Sequence, residues 1–439
     1  MSSEHNKIYL VQPGGKLTGQ FRVPGDKSIS HRSIMLGSLA EGTTEVTGFL
    51  EGEDALATLA SFRAMGVEIE GPKDGKVKVH GVGMHGLKAT DKDIYLGNSG
   101  TSIRLLSGLL AGQAFDSTLT GDVSLSGRPM KRVTNPLAEM GANIDSQDGK
   151  PPLKINGGSK LKAINYTLPM ASAQVKSCVL LAGLYAEGTT TVKEPAPTRD
   201  HTERMLQGMG YKVDVAGDTV TIEGGGKLTA TSIDVPSDIS SATFFMVGAA
   251  IAPGSDITLT HVGINPTRIG VINILRLMGA NITLSNEKMT GGEPVADIRV
   301  KYAPLTGINI PEDQVPLAID EFPAIFVAAA CADGQTVLTG AEELRVKESD
   351  RIQAMADGLQ ILGVDAVATD DGIIINGGTI GSGEVESHGD HRIAMSFAMA
   401  ALQAGGTIHI NDCANVATSF PDFVALAKEA GLEVDEIDG

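Results

Sequence analysis

One pattern recurs six times along this 439-residue chain and constrains its fold more than any other feature. A small or polar residue precedes a helix-length apolar run, and a glycine, a Thr/Val-rich alternation typical of a strand and an amphipathic helix follow it. The runs start at Asp26, Gly97, Ala171, Asp238, Asp320 and Asp390, so successive starts lie 71, 74, 67, 82 and 70 residues apart. Recurrence of this kind predicts six copies of one α/β unit.

The repeats predict two lobes of three units each. The sixth repeat has only 50 residues and lacks about one strand pair, which IYLVQ and GQFRV near the N-terminus would supply. We therefore expect a continuous lobe over residues 24–235 and a discontinuous lobe made of residues 1–23 and 236–439. The crossings have similar sequences, VPGD at 23–26 and VPSD at 235–238, and predict a double hinge. Any α/β chain shows some periodicity, but the matched crossings are not explained by that alternative.

Composition bounds the class of protein. A content of 42% hydrophobic and 20% charged residues is that of a globular chain, and no apolar run is long enough to cross a bilayer. The three cysteines form no CxxC pair, which argues against a disulfide framework or a zinc site and favours a reducing compartment. The N-terminus has no basic-then-apolar signal, so we expect a cytoplasmic protein. A net charge of −18 disfavours nucleic acid and anionic membranes as partners.

The stretch VPGDKSISHR, at the first helix start, predicts an anion site. Asp26 is a plausible N-cap, Lys27 falls in the first turn, and Ser28 and Arg32 lie four apart on one helix face. Cations at the positive end of a helix are poorly placed for stability, so an external anion is their natural partner. The alternative is a solvated first turn.

Two later helix starts offer further anion ligands. In GNSGT, Gly100 lets backbone amides approach an anion closely, although an ordinary turn is equally compatible with this sequence. Arg128 precedes Pro129, which suits the first helical position, and Arg199 lies beside another expected helix entrance. The alternative for both arginines is a solvent-exposed surface position. We do not expect Arg268 to be a ligand.

Polar residues at three other places suit hydroxyl recognition and proton transfer. Ser172 and Gln174 bring a hydroxyl and an amide to an apolar helix start, where Ser172 could also be a simple cap. Asp320 could cap its helix or serve as a base facing a cationic cleft. The run RVKESDR at 345–351 is the densest charge cluster, and such runs are usually a solvated helix face.

Six motifs in order, VPGDKSISHR, GNSGT, GDVSLSGRPM, SAQVKS, RVKESDR and DHRIAMSFA, span nearly the whole chain and resemble those of the 5-enolpyruvylshikimate-3-phosphate synthase family. The resemblance implies a two-lobed inside-out α/β barrel of six βαβαββ repeats. It implies transfer of the enolpyruvyl group of phosphoenolpyruvate to the 5-hydroxyl of shikimate 3-phosphate, with phosphate released. It implies no cofactor and no metal, and we expect a monomer.

The resemblance also assigns site residues. Shikimate 3-phosphate would contact Lys27, Ser28, Arg32, Ser172, Ala173, Gln174, Arg199, Asp320 and Lys347. Phosphoenolpyruvate would contact Lys27, Gly100, Arg128, Gln174, Arg351 and Arg392. Asp320 would take the proton of the 5-hydroxyl, Glu348 would transfer a proton to and from the methylene carbon, and Lys27 would hold the tetrahedral intermediate.

One departure and two alternatives accompany this resemblance. Many family members have Lys-Thr-Phe-Pro near the C-terminus where this chain has Thr418-Ser419-Phe420-Pro421, so a late lysine contact is missing, as in the family's second, often glyphosate-tolerant class. The UDP-N-acetylglucosamine enolpyruvyl transferases share the fold and the donor but carry a loop cysteine, whereas the first cysteine here is Cys178. A non-catalytic anion-binding protein is the alternative from another functional class.

Overall fold

The computed structural model describes residues 6–439, so residues 1–5 of the predicted discontinuous lobe lie outside the description. The chain divides into two compact units. The split unit contains Met1–Pro24, Pro236–Met289 and Pro294–Gly439, and the central unit contains Gly25–Val235 together with Thr290–Glu293. The grouping of Thr290–Glu293 with the central unit has no counterpart in the sequence prediction. Among the described residues, every helix is too short or too polar to cross a membrane.

Helices of the central unit begin at the expected starts and alternate with strands. They are α1 (Lys27–Leu39), α2 (Glu53–Ala64), α3 (Gly100–Ala111), α4 (Val123–Ser126), α5 (Lys131–Glu139), α6 (Ala173–Gly183) and α7 (His201–Gly208). Those of the split unit are α8 (Ile239–Ile251), α9 (Gly270–Leu277), α10 (Phe322–Cys331), α11 (Arg351–Ile361), α12 (His391–Ala400) and α13 (Phe423–Ala430).

The strands of the described chain are short, and most come in antiparallel pairs. The first twelve are β1 (Lys7–Val11), β2 (Thr18–Phe21), β3 (Ala40–Thr47), β4 (Glu68–Lys73), β5 (Lys76–Val82), β6 (Ile94–Tyr95), β7 (Ser117–Thr120), β8 (Asn143–Gln147), β9 (Lys150–Asn156), β10 (Asn165–Thr167), β11 (Thr189–Lys193) and β12 (Val213–Ala216). The others are β13 (Thr219–Glu223), β14 (Leu228–Thr229), β15 (Ser232–Asp234), β16 (Asp256–Gly263), β17 (Asn281–Thr290), β18 (Glu293–Lys301), β19 (Gln335–Leu338), β20 (Asp365–Ala368), β21 (Ile373–Asn376), β22 (Gly383–Glu386), β23 (Ile408–Asn411) and β24 (Val434–Asp438).

Each unit holds three sheets, one for each repeat. In the central unit the strand orders are β14-β3-β5-β4 with β15 also on β3, β6-β7-β9-β8, and β10-β11-β13-β12. In the split unit they are β17-β18-β16-β2, β19-β21-β20 and β22-β23-β1-β24. The third repeat shows the pattern plainly, because β10 pairs parallel with β11 across helix α6, and β13 then pairs antiparallel with both β11 and β12. This is a βαβαββ unit.

The N-terminal strands serve two different repeats. Strand β1 inserts antiparallel between β23 and β24 and so completes the sixth repeat, as predicted. The prediction is wrong for β2, which pairs parallel with β16 and opens the fourth repeat. Correspondingly, β15 pairs parallel with β3 and opens the first repeat. The chain crosses from one unit to the other directly after each of these two strands. Strand β2 therefore lies in the split unit although the next element, α1, lies in the central unit, and β15 lies in the central unit although α8, in the split unit, follows it.

The first helix of each repeat is buried on nearly all sides, as its apolar sequence predicts. Helices α3 and α6 approach closely at Gly108, where a Cβ atom would lie 2.1 Å from the carbonyl oxygen of Cys178. Glycine is therefore required at this crossing. The three cysteines are free thiols, and burial raises the pKa of each to about 12.

Candidate functional site

The start of α1 carries a capped, charged first turn. The side chain of Asp26 accepts a hydrogen bond from the amide of Ile29 at 2.8 Å, which is the predicted N-cap. Lys27, the first residue of the helix, pairs with Asp54 through an Nζ–Oδ2 distance of 2.7 Å. Ser28 is half-buried on the same turn. The carboxylate of Asp54 thus offsets the charge of Lys27, whereas Arg32, one turn further on, bonds uncharged groups.

Arg32 is a buried cation held by neutral oxygen atoms. Its guanidinium donates to the hydroxyls of Thr202 and Ser177, at 2.7 and 2.9 Å, and to the carbonyl of Ser28 at 3.0 Å. Burial lowers the pKa of Arg32 to about 10, the charge of Glu203 opposes this effect, and that of Arg199 adds to it. The group therefore stays charged at neutral pH. A positive charge oriented by hydroxyls keeps more of its attraction for an external anion than one paired with a carboxylate.

Helices α3 and α6 begin side by side through polar contacts. The guanidinium of Arg104 donates to the amide oxygen of Gln174 at 2.8 Å, and the amide nitrogen of Gln174 donates to the hydroxyl of Thr101 at 3.0 Å. Ser172 caps α6 by accepting from the amide of Val175 at 3.3 Å, and the next residue begins the helix. These contacts place Gln174 between two helix N-termini, where partial positive charge collects.

Gly100 is the first residue of α3 and has no positive φ, unlike Gly97 at +57°. A Cβ atom at Gly100 would lie 2.7 Å from Nη1 of Arg128 and 2.8 Å from Nη1 of Arg104. The explanation of this glycine as a turn residue is therefore wrong. Its missing side chain leaves room for two guanidinium groups.

Arg128 and Arg199 both lie near helix entrances, but only Arg199 lies there in the way that the sequence predicts. Pro129 precedes Met130, the N-cap of α5, so the prediction that this proline occupies the first helical position is wrong. Arg128 instead donates to the side-chain oxygen of Asn98 at 2.7 Å, beside the start of α3. Arg199 immediately precedes Asp200, the N-cap of α7, as predicted.

In the split unit, Arg351 is the first residue of α11 and only 1% of its side chain is exposed. It bonds Asp390 through Nε at 2.8 Å, Asp320 through Nη1 at 3.0 Å and Glu348 through Nη2 at 2.7 Å. These carboxylates outweigh the effect of burial and raise the pKa of Arg351. A solvated face is therefore the wrong description of this end of the 345–351 run.

Asp390 is completely buried and orients the arginine. Burial alone would raise its pKa, but the charge of Arg351 holds the pKa of Asp390 below its ordinary value. Its oxygens also accept from the hydroxyl of Ser349 and from the backbone amide of Arg392, both at 3.0 Å, so it caps α12 as well. One carboxylate thus joins the beginnings of α11 and α12.

Asp320 and Lys347 lie on the same cluster. Asp320 belongs to a 3₁₀ turn, Ile319–Glu321, before α10, and its side chain accepts a hydrogen bond from Arg351 at 3.0 Å. The Nζ atom of Lys347 lies 2.8 Å from Glu343 and 3.6 Å from Asp320. Burial by itself would lower the pKa of Lys347, but these two carboxylates raise it.

Arg392 differs from the other cations of the split unit. It is half-buried in the first turn of α12, and within residues 6–439 its guanidinium makes no hydrogen bond or ion pair. By contrast, Arg268 is buried and pairs with Asp238 at 2.9 Å. The backbone of Arg392 is thus held by Asp390, and its guanidinium has no ion pair within the described residues.

The structure brings the predicted residues together as two sets, one in each unit. The Arg32 set contains Lys27, Ser28, Arg32, Gly100, Arg128, Ser172, Ala173, Gln174 and Arg199. The Arg351 set contains Asp320, Lys347, Glu348, Arg351 and Arg392. The first set gathers four cations, one of which, Arg32, is held by hydroxyl and carbonyl oxygens, and it suits anion binding. The second places two carboxylates on one buried cation and suits proton transfer.

Sequence reasoning missed several residues that position these sets. They are Asp54, Arg104, Ser177, Thr202 and Asp390. Arg104 had a signal, because it is another cation near the N-terminus of an apolar helix, like Lys27. The hydroxyl groups on Arg32 had none, since Thr202 is 170 residues away in the chain.

Comparison with known proteins agrees with this arrangement. The family EPSP synthase (3-phosphoshikimate 1-carboxyvinyltransferase) matches residues 11–426. The 3-phosphoshikimate 1-carboxyvinyltransferase of Methylococcus capsulatus is 68% identical over 434 residues, covering 98% of this chain and 99% of the relative. That of Hydrogenovibrio crunogenus is 65% identical over 442 residues and covers 99% of each chain.

A solved structure supports the same assignment. The EPSP synthase from Acinetobacter baumannii aligns with a TM-score of 0.89 at 62% identity, covering 98% of this chain and 100% of the other. The predicted α/β enolpyruvyl transferase fold is thereby confirmed. The chain belongs to the EPSP synthase (3-phosphoshikimate 1-carboxyvinyltransferase) family.

Proposed function

We propose that this chain transfers the enolpyruvyl group of phosphoenolpyruvate to the 5-hydroxyl of shikimate 3-phosphate and releases phosphate. One observation supports this most strongly: the buried guanidinium of Arg351 bonds both Asp320 and Glu348. These are the two carboxylates to which the family resemblance assigns the proton transfers. A protein that only bound anions would gain nothing from acidic groups in its binding site.

The Arg32 set binds the two anionic substrates. Shikimate 3-phosphate takes Lys27, Ser28, Arg32, Ser172, Ala173, Gln174 and Arg199 from this set, and phosphoenolpyruvate takes Lys27, Gly100, Arg128 and Gln174. Each phosphate carries about −1.5 to −2 at neutral pH, so with their carboxylates the two ligands bring about −5 to −6 of charge. Arg32, which is held by hydroxyl and carbonyl oxygens, attracts this charge without first breaking an ion pair, whereas Lys27 would exchange Asp54 for a ligand.

The Arg351 set performs the proton transfers. Asp320 accepts the proton of the 5-hydroxyl as its oxygen attacks C2 of phosphoenolpyruvate, while Glu348 donates a proton to C3. The tetrahedral intermediate then loses the C3 proton to Glu348 as the C2–O bond to phosphate breaks. Lys27 and the arginines stabilise the charge of that intermediate. Because Arg351 donates to both carboxylates, it fixes their positions before the substrates arrive.

Lys347 and Arg392 complete the binding groups of this unit. Lys347 contacts shikimate 3-phosphate and moves away from Glu343 to do so, whereas Arg392 contacts phosphoenolpyruvate without breaking a bond. The donor therefore meets at least one cation that has no ion pair to break within residues 6–439. This difference predicts a smaller binding penalty at Arg392 than at Lys347.

The reaction needs both sets on one pair of ligands, and we propose that segments 23–26 and 235–238 act as a double hinge between lobes 24–235 and 1–23 plus 236–439. The positions of β2 and β15 support it, because each strand pairs within one unit and is followed across segment 23–26 or 235–238 by a helix of the other unit. Scattering profiles with and without shikimate 3-phosphate plus glyphosate test the hinge, and identical profiles would refute it. We propose further that the chain acts as a cytoplasmic monomer.

The function is tested by measuring phosphate release from phosphoenolpyruvate. We expect release only when shikimate 3-phosphate is present, and none when UDP-N-acetylglucosamine replaces it. Asp320→Asn should lower kcat by roughly 10²-fold or more, whereas Asp333→Asn, an exposed aspartate of the same unit, should leave kcat unchanged. Release without shikimate 3-phosphate, or equal rates for the two variants, would overturn the proposal.

A further inference from the structure

Away from both sets of site residues, strands β4 and β5 bring together three side chains with metal-binding atoms. Glu68 and Glu70 on β4 and His80 on β5 each offer one atom, and all three atoms lie within 4.8 Å of one another. We propose that this Glu68–Glu70–His80 cluster binds a divalent transition-metal ion of the zinc class. The ion takes no part in the transfer reaction.

The register of the sheet creates the cluster. Glu68 lies opposite His80 in the antiparallel pair, and Glu70 is two residues further along β4, so all three side chains project from the same face. Between them, Ile69 and Val79 are buried and hold the opposite face against the core. The backbone positions of the three ligands are therefore fixed by core packing, although their side chains reach solvent.

The spacing fits a single ion after a small movement. Zinc lies about 2.0–2.2 Å from nitrogen and oxygen ligands, so two ligand atoms around a tetrahedral ion are about 3.4 Å apart. The three ligand atoms lie within 4.8 Å of one another, so each would move by on the order of an ångström to reach this spacing. Glutamate side chains on an exposed strand face can rotate by this amount without disturbing the core.

The orientation of His80 supports the assignment. Its Nδ1 atom lies 3.0 Å from the hydroxyl oxygen of Thr43, directly across from it on β3, and its Nε2 atom lies 2.7 Å from Oε1 of Glu70. A bound ion would take the place of the Nε2 proton that bonds Glu70, and Nδ1 would then donate to Thr43 while the Nε2 lone pair binds the ion. Metal-binding histidines are commonly oriented by such a hydrogen bond on the second ring nitrogen.

The two glutamates supply the negative charge of the cluster. Lys78 lies opposite Glu70 in the strand pair, and its Nζ atom lies 3.6 Å from Glu45, an ion pair that offsets its positive charge. A metal ion would replace the hydrogen bond between Nε2 of His80 and Oε1 of Glu70, whose atoms lie 2.7 Å apart. The single imidazole favours zinc, nickel or cobalt over magnesium and calcium.

The test is calorimetric titration of the tag-free full chain with Zn²⁺ near neutral pH. We expect one equivalent to bind, His80→Ala to weaken binding by roughly 100-fold, and Thr43→Val to weaken it by about tenfold. His409→Ala is the matched control, because His409 is also exposed on a strand with a glutamate, Glu384, opposite it. This variant should bind zinc as the unchanged chain does.

Two further readouts separate a site from loose surface binding. Co²⁺ should give the absorption of a tetrahedral or five-coordinate complex with the unchanged chain and not with His80→Ala. Zn²⁺ should raise the Tm of the unchanged chain but not that of His80→Ala, because an ion joining β4 to β5 stabilises only the folded form. Equal zinc binding by His80→Ala, or equally tight binding of Mg²⁺, would overturn the proposal. Phosphate release should be unchanged in His80→Ala.

Discussion

Replacing Asp390 by asparagine tests whether a buried carboxylate holds Arg351 in the split unit. Asp390 is fully buried and accepts two hydrogen bonds from the guanidinium, at 2.8 and 3.3 Å. Asparagine has the same shape but presents an NH₂ group to one of these donors and removes the negative charge. Removing one partner from a buried ion pair costs about 3–5 kcal/mol, and the remaining contacts of Arg351 with Asp320 and Glu348 place the expected loss near the lower end.

The chain provides a matched control in the same unit. Asp256 and Arg299 form a bidentate pair with distances of 2.9 and 2.7 Å, but their side chains are 42% and 49% exposed. Asp256→Asn makes the same chemical change in a solvated pair, which is worth about 0–1 kcal/mol. The two variants therefore differ in burial and in the bonds that Asp390 also accepts from Ser349 and from the amide of Arg392.

Urea unfolding followed by circular dichroism is a suitable assay, because the chain has no tryptophan for fluorescence. We expect the midpoint to fall much more for Asp390→Asn than for Asp256→Asn. The pKa of Asp390 is lowered in the folded state, so its stabilisation is present above its ordinary value of 3.8 and is lost as the pH falls below it. The difference between the unchanged chain and Asp390→Asn should shrink there. Equal losses for the two variants would refute the argument.

Three further predictions concern the reaction. Glu348→Gln should lower kcat by roughly 10²-fold with little change in KM, and near-normal turnover would contradict its role in proton transfer. Gly100→Ala should raise the KM for phosphoenolpyruvate and should raise the inhibition constant of glyphosate by a larger factor, because the added Cβ displaces two guanidinium groups. A lowered Tm with equal effects on both constants would instead indicate that the glycine serves the backbone. Thr202→Val should raise the KM for shikimate 3-phosphate about tenfold at unchanged kcat, since Arg32 loses an acceptor; an unchanged KM would show that Thr202 does not position it.

The sequence by itself determined the features that depend on neighbouring residues. Asp26 caps α1, and the helix starts follow at Gly100, Ala173 and His391, because capping side chains and apolar runs act within a few residues. The strand alternation and the repeat spacing likewise require no tertiary contact to be seen. The motifs in these starts then identified the family and its candidate residues.

Tertiary structure alone decided which groups meet. The repeat spacing placed both N-terminal strands in the sixth sheet, but β2 enters the fourth, because strand pairing depends on partners more than 200 residues away. No local sequence feature distinguishes Arg351, whose guanidinium bonds three carboxylates, from Arg392, whose guanidinium makes no hydrogen bond or ion pair within the described residues. Burial and ion pairing are set by the distances between remote elements, and those distances exist only once the helices have packed.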